Sequence, residues 1–111
     1  MGRTSADRSQ VVSHVADELP VTPSATTSRA LVDNDAVRVV AFAFDTGEQL
    51  TEHTAAMPVV VQLLSGDLRF EVAGETHRLA AGDCVYLAPG ELHALEALTP
   101  ALVSLVMVRG G

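Results

Sequence analysis

Two glycine-bounded stretches, GEQLTEHTAAMPVVVQLLSG at residues 47–66 and GDCVYLAPGELH at residues 82–93, guide the interpretation of the whole chain. Each combines a glycine, an apolar run of strand length and one histidine, His53 in the first stretch and His93 in the second. Glycines and prolines punctuate strands, and histidine is the side chain most often used for chemistry near neutral pH. We therefore expect the two stretches to fold against each other around these histidines.

The spacing in these stretches resembles the two conserved motifs of the cupin superfamily, G-x5-H-x-H-x3-E-x6-G and G-x5-P-x-G-x2-H-x3-N. The matching positions are the framework glycines and two histidines: Gly47, His53, Gly66, Gly82, Gly90 and His93. On this resemblance the chain is identified as a small, single-domain cupin of the conserved-barrel (cupin 2) type. The resemblance implies an all-β fold, an antiparallel double-stranded β-helix or jelly-roll barrel.

The positions that depart from the motifs concern the metal site. In cupins, two histidines and a glutamate of the first motif and the histidine of the second typically hold a divalent metal inside the barrel. Here Ala55 stands at the second histidine position and Val59 at the glutamate position, which leaves His53 and His93 as candidate ligands. The resemblance therefore implies a degenerate site, in which a divalent ion such as Zn, Fe, Mn or Ni is weakly held or absent.

The composition excludes several classes of function. A chain of 111 residues is expected to form one domain, and its 48% hydrophobic content argues against disorder. Its formal charge of -7 disfavours nucleic acid and anionic membranes as partners. All seven basic side chains are arginine, so there is no lysine for Schiff-base chemistry.

The single cysteine, Cys84, cannot form an intramolecular disulfide, and the N-terminus lacks the apolar run of a secretory signal. No stretch approaches the roughly 20 apolar residues of a membrane span. We therefore expect a cytoplasmic protein without a membrane partner, and the resemblance to small cupins implies a bacterial one. Small cupins commonly pair through outer sheet faces, so the resemblance also implies a homodimer.

The chain divides into an N-terminal arm with a short helix at residues 1–27 and a barrel domain at residues 28–109. In the arm, apolar residues from Val11 to Leu19 recur at roughly helical spacing, which favours a short helix or turn with Ser9 as the candidate N-cap and Pro20 as the stop. The barrel domain shows short apolar runs separated by turn residues, as in an antiparallel barrel. We predict strands at 29–32, 37–44, 49–55, 59–64, 68–72, 76–79, 84–87, 94–97 and 101–108.

Strand parity predicts which side chains face the inside of the barrel. Side chains alternate between the two faces of a strand, so an inward His53 implies an inward Ala55. The cupin alignment places Val59 inward, and alternation along the same strand then places Val61 and Leu63 inward as well. The ligand-binding residues predicted in this way are His53, Ala55, Val59, Val61, Leu63, Phe70 and His93.

The two motif histidines admit two interpretations. They are either the nucleus of a metal site or buried imidazoles hydrogen-bonded to backbone and water. Catalytic zinc sites usually have three protein ligands, so two imidazoles alone bind a metal weakly. His77 shares parity with Leu79 and is either a third, inward imidazole or a histidine on the rim.

Three hypotheses of function follow. The first is a binding module that takes a small organic ligand, with His53 and His93 orienting its polar end. The second is a metal-dependent oxygenase, isomerase or cyclase whose missing ligands come from His77, water or the substrate. The third is a homodimer whose barrel holds no ligand. The sequence assigns no catalytic residue and leaves open whether the protein is an enzyme.

Overall fold

The computed structural model describes residues 3–109, so residues 1 and 2 of the predicted arm lie outside the described range. Strands account for 53% of the structure and helix for 4%, which confirms the all-β prediction. The elements in chain order are α1 (Val15–Glu18), β1 (Thr26–Asp33), β2 (Val37–Phe44), β3 (Gln49–His53), β4 (Val59–Ser65), β5 (Asp67–Val72), β6 (Glu75–Ala80), β7 (Cys84–Leu87), β8 (His93–Ala97) and β9 (Ala101–Val108).

Two antiparallel sheets build the barrel. One has five strands in the order β1-β2-β9-β4-β7, and the other has four in the order β3-β8-β5-β6. Both contribute to one core, in which Phe44, Val61 and Leu63 of the larger sheet meet Leu68 and Phe70 of the smaller one. This arrangement of two facing sheets with non-consecutive neighbours is the predicted jelly roll.

The period-2 pattern of the sequence explains which face of each strand is buried. Along β5, Leu68 and Phe70 are fully buried while Arg69 between them is exposed. β4 behaves in the same way, with Val61 and Leu63 buried and Gln62 exposed. Inward apolar and outward polar side chains thus give each sheet a core face and an outer face.

The N-terminal segment covers part of the outer face of the five-stranded sheet. Leu19 packs with Leu31, Ala41, Ala43 and Leu102 in a second, smaller apolar cluster. The prediction that the helix starts at Ser9 is wrong, because α1 spans four residues and follows His14, which has a φ of 59°. A helix this short has little stability of its own, so packing against the sheet decides where it forms.

Asp33, at the end of β1, joins both ends of the described chain. Its carboxylate pairs with Arg109 near the C-terminus and with Arg3 near the N-terminus, and Arg38 lies 3.8 Å away. The Thr4 N–H also donates to the Asp33 carbonyl oxygen at 2.8 Å. The hydrogen bond from Arg109 is the main cause that holds the pKa of Asp33 below its ordinary value.

Across residues 3–109, no helix combines the length and the apolar character needed to cross a bilayer.

Candidate functional site

A cavity of about 220 Å³ lies between the two sheets. Both sheets line it, and nine of its eleven lining residues are apolar. The lining residues are Leu50, His53, Ala55, Val59, Val61, Phe70, Leu87, His93, Leu95, Leu105 and Met107. The polar side chains of the cavity wall are therefore the two motif histidines.

A β-bulge in β3 turns His53 towards this cavity. Leu50 pairs with Leu95 and His53 pairs with His93, so three steps along β3 correspond to two steps along β8. In a regular strand Glu52 would lie opposite His93, and His53 would point to the other face. The extra residue of the bulge restores the alignment and places the two histidines opposite each other.

Both imidazoles make the same local hydrogen bond. The Nδ1 of His53 lies 2.7 Å from the carbonyl oxygen of Thr51, and the Nδ1 of His93 lies 3.0 Å from that of Glu91. A carbonyl oxygen accepts, so in both rings the Nδ1 carries the proton and donates it. In the neutral form each ring then presents its Nε2 lone pair, and this nitrogen is the one available to a ligand.

The two rings are in contact but differ in exposure. Their centroids lie 4.1 Å apart and their planes are inclined at 60°. His53 is exposed, whereas His93 is 8% exposed and has a ring parallel to that of Phe70, with centroids 6.2 Å apart. Burial is the main cause that lowers the pKa of His93 below its ordinary value, so this imidazole favours the neutral form.

A second, more polar cavity of about 350 Å³ shares His93 with the first. Four carboxylates line it, those of Glu52, Glu71, Glu75 and Glu91. The space next to the buried imidazole is therefore bordered by negative charge, which repels anions that approach from this side.

The structure brings together six of the seven residues predicted to bind a ligand, namely His53, Ala55, Val59, Val61, Phe70 and His93. Leu63 has the predicted parity but does not reach the cavity. It is 1% exposed, pairs with Val103 and packs in the core, because the barrel is filled with side chains at this level. Ligand binding by the six others stays a prediction.

Five lining residues were not predicted from the sequence: Leu50, Leu87, Leu95, Leu105 and Met107. A parity signal existed for three of them. Leu95 lies two positions after His93 on β8, and Leu105 and Met107 share the parity of the buried Val103 on β9. Extending parity from one known inward residue on each of these strands would have found them.

His77 lies away from the two motif histidines. It pairs with Phe70 on the edge strand β6, so its parity is inward, but its side chain is 46% exposed and lies 3.6 Å from Glu75. Within the described range no three His, Cys, Asp or Glu side chains are close enough to hold a metal ion together. The arrangement agrees with a histidine on the rim of the barrel.

The sequence profile of the family described as "Cupin domain" matches residues 40–109, and this range holds the cavity and both histidines. The chain belongs to the cupin domain family. No curated protein sequence matches this cupin.

Solved structures share the architecture of this cupin. A conserved protein of unknown function from Streptococcus pyogenes is 25% identical with a TM-score of 0.84, over 100% of this chain and 97% of that one. A cupin superfamily protein from Desulfitobacterium hafniense is 18% identical with a TM-score of 0.81, over 86% and 88% of the two chains. KdgF from Halomonas sp. is 22% identical with a TM-score of 0.73, over 86% and 94%.

The donor set of this cupin does not fit a tightly held metal. Ala55 and Val59, at the motif positions of the missing ligands, both line the cavity, so apolar groups stand where ligands would be needed. Two imidazoles with tethered Nδ1 atoms are well oriented ligands, but a stable site needs further donors. The site is suited to hydrogen bonding and apolar contact.

Proposed function

We propose that this cupin binds a small, largely apolar organic molecule between its two sheets, with His53 and His93 orienting the polar end of the ligand. One observation carries the proposal: two adjacent imidazoles, each with a free Nε2, lie in a cavity whose other lining residues are apolar. Small-molecule sites commonly have this composition, an apolar wall with a few convergent polar groups.

The apolar wall supplies the affinity in this proposal. Each square ångström of apolar surface removed from water contributes roughly 25 cal/mol, so contact with the valines, leucines and Phe70 drives a ligand into the cavity. The histidines supply orientation, because a ligand donor that faces them replaces the hydrogen bonds it made to water.

A fragment panel tests this proposal. We expect binding of some single-ring or short-chain fragments to raise the melting temperature, and the inward substitution Val61→Phe to abolish that binding by filling the cavity. Val60→Phe is the matched control, because Val60 is the next residue on β4 and faces the opposite side of the sheet. If no fragment binds to the wild type in a way that Val61→Phe abolishes, the proposed function is wrong.

A metal-dependent enzyme is the second candidate. The observation that favours it is the pair of Nδ1 hydrogen bonds to backbone carbonyls, an arrangement typical of metal-ligating histidines. Water or the substrate itself would then complete the coordination of the ion.

Metal content separates the two candidates. The measurement uses protein purified without a histidine tag and compares the wild type with His53→Ala and His93→Ala. Near-stoichiometric metal that both substitutions remove would favour the enzyme. Metal far below stoichiometric in all three folded proteins would favour the binding module.

A further inference from the structure

We propose, building on the binding function above, that the ligand is a neutral, single-ring molecule with one hydroxyl group, such as a phenol or cyclic alcohol, whose O–H donates to the Nε2 of the buried His93, next to His53. Three features of the site point to this class: the size of the cavity, the hydrogen-bonding capacity of its wall and the charge around it.

The size of the cavity matches a ligand of one ring. A cavity of about 150 Å³ lined by leucine, isoleucine and phenylalanine accommodates benzene. The cavity in this cupin has a volume of about 220 Å³ and a similar lining. One six-membered ring with one or two small substituents fills it, whereas typical drug-sized ligands occupy pockets of roughly 300–1,000 Å³.

The hydrogen-bonding capacity of the wall selects a donor. Both Nδ1 atoms already donate to the carbonyls of Thr51 and Glu91, so each neutral ring offers an acceptor at Nε2. A hydroxyl group on the ligand supplies the one donor that the Nε2 of the buried His93 lacks, while the exposed His53 can pair with water. The remaining lining side chains are apolar, so a second polar group elsewhere on the ligand would be left without a side-chain partner.

The negative charge around the site disfavours an anion, and the apolar wall disfavours an ion of either sign because it would lose its hydration there. The neighbouring cavity carries four glutamates and shares His93 with the binding cavity, and the whole chain has a formal charge of -7. A carboxylate ligand would face these negative charges and would lose its hydration in the apolar cavity. A phenol or an alcohol avoids both costs.

Three probes that differ at one position test this class. They are 4-methylphenol, toluene and 4-methylbenzoate, which share a methyl-substituted ring and carry a hydroxyl, a hydrogen and a carboxylate respectively. Each probe is titrated into the labelled protein at pH 8, where free imidazole is neutral, and binding is measured by calorimetry and by two-dimensional NMR. We expect 4-methylphenol to bind at least about tenfold more tightly than either of the others, because it alone donates to the buried Nε2 of His93 without adding charge.

Two variants locate the hydroxyl. His93→Leu should reduce the affinity for 4-methylphenol towards that for toluene and leave the affinity for toluene nearly unchanged, whereas His53→Leu should keep the preference for 4-methylphenol. If the variant of the buried His93 does not fold, the comparison of the three probes on the wild type still decides the ligand class.

Other outcomes overturn the assignment. Equal affinities for toluene and 4-methylphenol would show that the histidines do not select the polar end, and tighter binding of 4-methylbenzoate would show an anion site. Absence of binding by all three probes at millimolar concentration would reject the ligand class. None of these results rejects ligand binding between the two sheets, which fails only if Val61→Phe abolishes no binding across the wider fragment panel.

Discussion

His53 and His93 have the same side chain and the same local hydrogen bond, but their surroundings differ. His53 is exposed to solvent, whereas His93 lies behind it, in contact with His53 and parallel to Phe70. Burial penalises the charged imidazolium of His93, and the Glu91 carbonyl offsets part of that penalty. The buried ring is therefore the part of the site whose protonation is most strongly coupled to folding.

We predict that acid destabilises this cupin through His93. The pKa of His93 is lower in the folded protein than its ordinary value of 6.5, so the unfolded chain binds the proton more tightly. Protonation therefore favours unfolding once the pH falls below 6.5. The free energy of unfolding should be at its plateau above pH 6.5 and should fall as the pH drops below it, until the folded protein is protonated as well. Urea denaturation between pH 5 and 8 measures this slope.

A pair of variants isolates the contribution of His93. His93→Gln should flatten the pH dependence between pH 5 and 6.5, since it removes the buried titrating ring. His77→Gln is the control, because His77 is exposed on the edge strand β6, and it should keep the wild-type slope. Equal slopes for His93→Gln and the wild type would contradict the assignment.

Among the strands and turns, the bulge in β3 and the turn at Gly66 have the clearest consequences. The bulge sets the direction of His53 by adding one residue between Leu50 and His53 relative to β8. Gly66 connects β4 to β5 with a φ of +87°, and a Cβ at this position would lie 2.2 Å from the carbonyl oxygen of Pro100. Gly66, the closing glycine of the first motif, is therefore required for two reasons: its backbone is left-handed, and there is no room for a Cβ beside Pro100.

We predict that Gly66→Ala destabilises the fold by about 3 kcal/mol or more, since a left-handed backbone costs an alanine roughly 1–2 kcal/mol and the clash with Pro100 adds to it. Gly47→Ala is the matched control. Gly47 has a φ of +86°, and a Cβ added there would meet nothing within 4 Å, so its substitution should cost only the roughly 1–2 kcal/mol of the backbone conformation. Chemical denaturation of both variants gives the comparison, and equal losses would refute the steric argument.

For the whole molecule, the uncovered half of the five-stranded sheet is the most distinctive surface. The described part of the N-terminal segment covers the outer face around Ala41, Ala43 and Leu102 and leaves open the part formed by β4, β7 and the C-terminal end of β9. Tyr86 is 63% exposed there and Val108 41%. Among the described residues, those that the strand register places on this open face are all uncharged: Val60, Gln62, Cys84, Tyr86, Val106 and Val108.

We expect a second copy of the chain to cover this open face. Two molecules with a formal charge of -7 repel each other, and an uncharged apolar surface is where two copies can approach with the least repulsion and the largest gain from burial. Light scattering after size exclusion should give the mass of a dimer for the wild type and of a monomer for Tyr86→Glu. Thr46→Glu adds the same charge at an exposed turn and should stay dimeric. A monomeric wild type at micromolar concentration would contradict the expectation.

The sequence predicted the strands of the barrel closely, and the reason is local. Alternation of apolar and polar residues, and glycines at turns, depend on a few neighbouring residues, so β2, β7 and β9 have the predicted bounds. Motif spacing identified the family and the two histidines. The cupin alignment selected Val59, and parity along β4 and β5 selected Val61 and Phe70; all three line the cavity.

The tertiary structure decided the features that depend on residues far apart in the chain. The inward direction of His53 requires a bulge whose existence shows only in the pairing of β3 with β8, and Leu63 is excluded from the cavity by the packing of Phe44, Leu68 and Val103 around it. The short helix likewise forms where the sheet supports it. Local pattern determines which residues form a strand, but register and packing between distant strands determine where a side chain points and whether space remains beside it.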